Sequence, residues 1–253
     1  MNNIVHTFWI GGPLDEVSWL SLSSFVKHGF QVNLWCYHPV LKQVPYGVTL
    51  CDASTILPES EIYQHRLGSW APFSDWFRFA LLYKHGGIWA DTDIICLKPF
   101  DIPPNTYCGE TDEKASIGFM SMEKAHPLAK YMADACEDPR NTPDFDNPVR
   151  IIVNDIMQRM QLTKEEARLR APWSYTGNEL LQHVIKDYAM VRLPTKDIYP
   201  ISYHEAETIV NGTASLDDLN GSKCVHLWRS ALRNKLSDTK ECLFSQLKQL
   251  ILN

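Results

Sequence analysis

The chain has 253 residues, 45% hydrophobic and 21% charged, which suits one α/β domain with a full core. A net charge of −6 and a pI near 5.8 argue against a nucleic-acid partner and give no reason for whole-surface attraction to anionic lipid. Seven scattered cysteines without a C-x-x-C fit reduced thiols in a cytosolic protein, not a disulfide framework or zinc site. Met1–Ile10 lacks the basic start of a signal peptide, and no run approaches the length of a membrane span.

In chain order, Ile4–Ile10 predicts a strand, Gly11-Gly12-Pro13 a tight turn, Asp15–His28 a helix closed by Gly29, and Phe30–Tyr37 a second strand. This strand–helix–strand opening predicts a parallel, nucleotide-binding sheet. No dinucleotide fingerprint or P-loop accompanies it. Trp9 stands at a strand end beside glycines that permit close approach of a flat ring. A plain core tryptophan is its other reading. Val48–Cys51 predicts a third strand and Pro58–Arg66 a short helix.

The segment Ser74–Phe100 dominates the chain. Ser74 predicts an N-cap, with Asp75 in the first turn of a helix reaching His85. Gly86-Gly87 predicts its left-handed end. Ile88–Leu97 then predicts a buried strand with Trp89, Asp91 and Asp93 on one face. Two neighbouring carboxylates at the end of an apolar strand resist desolvation unless a cation satisfies them, and hard oxygen ligands favour Mg²⁺ or Mn²⁺. An exposed Asp-Thr-Asp turn is the alternative. An EF-hand is excluded, because Cys96 and Ile102 occupy its glycine and glutamate positions. Asp75 and Arg78 share a helix face, either as an internal ion pair or as ligand-binding groups.

Beyond Phe100, strands are expected at Thr106–Thr111 and Ser116–Met122. Glu110 and Asp112 read as solvated acids. Val149–Met160 has helical periodicity, with Ile151, Ile152, Ile156 and Met160 expected in the core, and Glu165–Arg170 reads as a solvated piece. Cys224–Trp228 predicts a strand with His226 and Trp228 on one face. His226 is either a core histidine or a competent Mn²⁺ ligand. Arg229, Arg233 and Lys235 either pair a phosphate anion or face solvent. Leu243, Phe244, Leu247, Leu250 and Ile251 form a terminal stripe that packs on the domain or rests on a membrane.

The spacing S-D-x-x-R-x-x-x-L-x-x-x-G-G-x-[WY]-x-D-x-D is met by Ser74, Asp75, Arg78, Leu82, Gly86, Gly87, Trp89, Asp91 and Asp93. It resembles the signature of the sugar-binding-region glycosyltransferases (glycosyltransferase family 32). Fungal initiating mannosyltransferases, animal α-1,4-sugar transferases and the large clostridial glucosylating toxins are related. The W-I-G-G at residues 9–12 resembles the start of the toxin domain. Ile117–Met132, Ile198–Ser202 and Thr176-Gly177 are similar to later family blocks, although Asn178 replaces a usual proline, and the first block implies that Glu110 and Asp112 could face the acceptor.

This resemblance implies a GT-A fold with a mixed, mostly parallel sheet flanked by helices. It also implies one domain over 1–253, with 1–100 holding the donor and 101–253 forming the acceptor side and terminal helix. The implied activity is retaining transfer of a hexose from a nucleotide sugar, UDP favoured, to a free or lipid-linked saccharide acceptor. Asp91, Asp93 and His226 would hold Mn²⁺ or Mg²⁺. Trp9 would stack the base, Asp75 and Arg78 would hold donor hydroxyls, and Trp228 would close over the diphosphate. The setting implied is a bacterial cytoplasmic enzyme of surface polysaccharide assembly, with at most peripheral membrane contact. No general base or nucleophile is implied. Two other classes compete: a haloacid-dehalogenase-type phosphatase, whose motif would place Thr where Ile95 stands, and a non-catalytic nucleotide-sugar-binding protein.

Overall fold

A computed structural model describes residues 3–38, 44–111, 113–232 and 241–252. The chain opens with β1 (Ile4–Phe8), α1 (Glu16–Lys27), β2 (Gln31–Cys36) and β3 (Val48–Asp52). Asp15 caps α1 by accepting the Ser18 amide. The three strands pair in parallel, in the order β3-β2-β1. Next come α2 (Ala71–His85) and β4 (Gly87–Ala90), and β4 pairs in parallel with the other edge of β1. Strand order therefore reverses between β1 and β4, which opens a crevice at their carboxyl ends. Trp9 follows β1 and Asp91 follows β4, so both lie at that reversal.

The remaining strands are β5 (Ile94–Cys96), β6 (Thr106–Thr111), β7 (Lys114–Met122), β8 (Val191–Leu193) and β9 (Cys224–His226). Between β7 and β8 run α3 (Pro127–Glu137), α4 (Pro148–Arg159), α5 (Lys164–Arg170) and α6 (Asn178–Val184). The main sheet has seven strands in the order β3-β2-β1-β4-β7-β6-β8, antiparallel only where β7 meets β4 and β6. This is the mixed, mostly parallel sheet expected of a GT-A fold. β5 and β9 form a separate antiparallel pair with Ile94 opposite His226.

Both faces of the sheet are covered, as β4 shows residue by residue. Ile88 and Ala90 pack with Leu20 and Phe25 of α1 and Leu247 of the C-terminal helix (Leu243–Leu252). Trp89, on the opposite pleat, joins Phe77 and Leu81 of α2 and Leu128 of α3. The C-terminal stripe is therefore core except at Leu250, which is exposed. Leu243, Phe244, Leu247 and Ile251 are buried, and Lys27 of α1 donates to the Leu250 carbonyl. Among the described residues no helix is long and apolar enough to cross a membrane. The seven cysteines are free thiols.

Several expectations are corrected. α2 starts at Ala71 after Trp70, with no side-chain cap, so Ser74 is not an N-cap and Asp75 lies beyond the first turn. Pro72 explains the earlier start, because a proline in the first turn lacks only an N–H that would be unpaired anyway. Gly86 ends the helix at φ +69° and ψ −161°, a glycine-only conformation rather than the left-handed helical one. Pro58–Arg66 holds only one 3₁₀ turn, Glu59–Glu61, and Glu165–Arg170 is a capped helix that buries Ala167 and Arg168. Ile88–Leu97 is not one strand: it breaks at residues 91–93.

The largest correction concerns α4. Its stripe faces solvent, with Ile151, Ile152, Ile156 and Met160 each at least 45% exposed. The face turned inward carries Arg150, which is fully buried. Its guanidinium donates to the Pro143 and Tyr175 carbonyls, pairs with Glu179 and covers the Tyr175 ring at 3.9 Å. A buried guanidinium needs that whole set of partners, and satisfying it orients the helix against its apolar stripe.

Candidate active site

The crevice at the ends of β1 and β4 widens into a cavity of about 1440 Å³ whose walls include Trp9, Asp75, Arg78, Asp91, Asp93 and His226. Of the site residues expected from sequence, only Trp228 remains, and it also lines the space. That volume exceeds the roughly 300–1,000 Å³ of an ordinary small-molecule pocket.

The two aspartates sit on a turn between strands of different sheets, not on one strand face. The turn still brings them together, because β5 departs to pair with β9 and draws Asp93 toward His226. Asp91 is tied to the α2 side. Its Oδ1 accepts from the Trp89 indole at 2.8 Å and from Arg78 Nη2 at 2.8 Å. The other Arg78 nitrogen, Nη1, donates to the Ile117 carbonyl, and the guanidinium lies 4.8 Å from the Trp89 ring centroid. Asp75 lies 3.5 Å from Arg78 Nη2. Arg78, only 3% exposed, thus serves two carboxylates at once. Burial pushes Asp75 up to about 6 and raises Asp91, both against the pull of Arg78.

Asp93 is tied to the C-terminal side. His226 Nε2 lies 3.1 Å from its Oδ1, the Arg229 amide donates to its Oδ2 at 2.9 Å, and the Leu227 amide donates to its carbonyl. Burial works to raise Asp93, but His226 and Arg229 outweigh it and hold the carboxyl well below the usual range. Burial likewise works to lower His226, and the carboxylates of Asp93, Asp91 and Glu110 raise it instead. Asp91, Asp93 and His226 each offer one ligand atom, all within 4.8 Å of one another. Two hard carboxylates and an imidazole form a donor set suited to a divalent cation, and His226 Nδ1 is buried with no hydrogen-bond partner among the described residues.

Trp9 stands just past β1, with its indole N–H given to the Gly12 carbonyl and the Arg229 guanidinium 5.3 Å from its ring centroid. Arg229 Nη2 also donates to Ser18 Oγ, Thr92 Oγ1 and the Thr92 carbonyl, and Nη1 lies 3.5 Å from Asp15. Arg229 therefore staples the Asp-Thr-Asp turn to α1 and backs the Trp9 ring. Its sequence position beside the H-x-W was the sole hint of this. Trp228 does not share a strand face with His226: β9 ends at His226, and Trp228 takes φ +52°. Its indole donates to the Ile201 carbonyl, and its buried ring stacks on Tyr199 and meets His226 edge-on at 4.0 Å between centroids. Glu110 lines the cavity too, and burial raises its carboxyl. Asp112, Arg233 and Lys235 lie outside the described residues.

The fold is of the GT-A type, with a D-x-D turn at its strand-order reversal. Residues 43–109 match the family described as the glycosyltransferase sugar-binding region containing DXD motif, and that span holds Asp75, Arg78, Asp91 and Asp93. The chain is 22% identical over 238 residues to lactosylceramide 4-alpha-galactosyltransferase of Homo sapiens, and likewise to that of Pan troglodytes, with 85% of this chain aligned. It spans 59% of the length of those two relatives. Among solved structures, the glycosyltransferase GlyE of Streptococcus pneumoniae TIGR4 superposes with a TM-score of 0.50 at 12% identity, over 100% of this chain and 60% of that one. That likeness is one of fold.

Proposed function

We propose that the chain transfers a hexose from a nucleotide sugar, UDP favoured, to a saccharide acceptor, with retention of configuration and dependence on Mn²⁺ or Mg²⁺. The observation that carries this reading is the Asp91–Asp93–His226 donor set at the floor of a cavity with room for two substrates. Charge supports it. Six carboxylates line the cavity against two guanidiniums and one imidazole, so an anionic diphosphate is repelled unless a divalent cation accompanies it. A cation held by Asp93, Asp91 and His226 would neutralise the leaving diphosphate.

The chain's own residues take the other roles. Trp9 presents a ring to the base, with Arg229 fixing it from behind. Asp75 and Arg78 hold donor hydroxyls, and Arg78 also sets the orientation of Asp91. Trp228 packs beside His226 and holds its ring at the diphosphate end. The acceptor is a saccharide, free or lipid-borne, as the name of the galactosyltransferase relatives suggests. A role in bacterial surface polysaccharide assembly, in the cytoplasm with at most peripheral membrane contact, rests on the sequence resemblance.

Nucleotide release from a panel of UDP- and GDP-sugars, with and without Mn²⁺, tests the proposal. Metal-dependent release from one donor is expected, falling on the order of 10³-fold in Asp93→Ala. Release of inorganic phosphate from simple esters would favour a phosphatase. Absence of both turnover and calorimetric UDP–Mn²⁺ binding would refute the proposal.

A further inference from the structure

The cavity holds a second polar feature that the donor machinery does not use. Five of its six carboxylates are ion-paired: Asp15 with Arg229, Glu16 with Lys248, Asp75 and Asp91 with Arg78, and Asp93 with His226. Glu110 has no ion pair among the described residues. Its Oε1 accepts from Asn178 Nδ2 at 3.3 Å, which leaves Oε2 available to a ligand.

The fold aims this side chain deliberately. β6 and β7 lose register between Gly109 and Thr111, where Gly109 faces Ala115 and Thr111 faces Lys114, so Glu110 is the extra residue of a bulge. Bulges re-aim side chains at sheet edges and beside active sites. Gly109 is locked in place, since a Cβ there would meet the Lys114 carbonyl oxygen at 2.5 Å and that of Thr111 at 2.7 Å.

The segment 172–178 completes the feature. Asn178 is fixed from below, where its Oδ1 accepts the Ile117 amide. Tyr175 is fixed from behind by the buried Arg150, which covers its ring and bonds its carbonyl. Trp173, in the same segment, lines the cavity while remaining 47% exposed. An exposed aromatic ring in the same cavity as a carboxylate that has no ion pair among the described residues suits a ligand with an apolar ring face and hydroxyl donors better than an anion.

We propose that Glu110, Asn178 and Trp173 form the acceptor subsite, Glu110 accepting a hydroxyl of a neutral saccharide whose ring lies on Trp173. This rests on the donor reading above, since it assigns the space left once a nucleotide sugar occupies the Trp9–Asp93 side.

The test uses the full chain labelled with 5-fluorotryptophan, in UDP and Mn²⁺, with the Trp173 fluorine resonance assigned by its loss in Trp173→Phe. Lactose should shift that resonance saturably, and galacturonate should not. Glu110→Gln should weaken lactose binding about tenfold, the scale of one charge-assisted hydrogen bond. UDP–Mn²⁺ affinity by calorimetry should stay within about twofold in both variants, below the scale of one lost hydrogen bond. A Trp173 resonance unmoved by lactose, equal lactose affinity in Glu110→Gln, or galacturonate binding as tightly as lactose would each overturn the subsite. Failure of the wild-type chain to bind UDP–Mn²⁺ overturns the donor reading instead and is read in a separate experiment.

Discussion

Asp91 and Asp93 are two residues apart, yet they belong to different structural worlds. Asp91 is held by groups close in sequence: Trp89, Arg78 and, through Arg78, Asp75. Asp93 is held by groups far along the chain, its bond to the Arg229 amide spanning 136 residues. The first set is built as soon as α2 meets β4. The second exists only after β9 has returned to pair with β5. The near set is a permanent part of the fold, because a guanidinium cannot discharge and so stays committed to its carboxylates. The far set contains a histidine, whose proton a metal can replace. The difference separates a scaffold half from an exchangeable half within one motif.

Removing Arg78 should break the scaffold half most severely. Arg78→Ala leaves the buried Asp75 and the half-buried Asp91 without their cation, and chemical denaturation should show a loss of about 3–5 kcal/mol. His226→Ala should lower Mn²⁺ affinity about 10–100-fold by calorimetry, with a smaller loss of stability than Arg78→Ala, because Asp93 keeps the Arg229 amide. Equal destabilisation by both variants would erase the proposed distinction.

A third effect is a pH dependence in metal-free buffer. Asp75 rises from 3.8 to about 6 in the fold, chiefly through burial. Between those values the native state binds a proton that the unfolded chain lacks. Its contribution therefore falls as pH rises through this window, by about 1.4 kcal/mol per pH unit. Asp93 and His226 shift oppositely: the Asp93 contribution is lost as pH falls below the ordinary carboxylate value, and the His226 contribution is lost as pH rises past its elevated value. Asp75→Asn should flatten the stability profile between pH 4 and 6 relative to the parent. An unchanged slope would show that Asp75 stays ionised beside Arg78.

The local half of the site was legible because its chemistry is encoded by spacing. Asp75 and Arg78 share a helix face at i and i+3, and the Gly-Gly break delivers Asp91 to the end of β4. His226 was legible through its H-x-W context, and Trp9 through its glycines. The staple made by Arg229 was not, since it depends on where Ser18, Thr92 and Trp9 meet in space. Glu110 read as one acid among many until the Gly109 bulge gave it a direction. In α4, periodicity located the helix but misjudged its orientation, because the partners of Arg150 lie in other segments.

By itself the sequence determined the opening strand–helix–strand order, the helix and strand that flank the Gly-Gly break, the residues of the D-x-D unit and the class of chemistry they suit. Those properties follow from backbone periodicity and from the charge of adjacent groups, which act over a few residues. Only the tertiary structure decided that the two aspartates sit on a turn between sheets, that His226 joins their set and that Glu110 lines the same cavity with no ion pair among the described residues. Each of these depends on contacts between distant segments, and such contacts are set by which packing satisfies every buried charge at once.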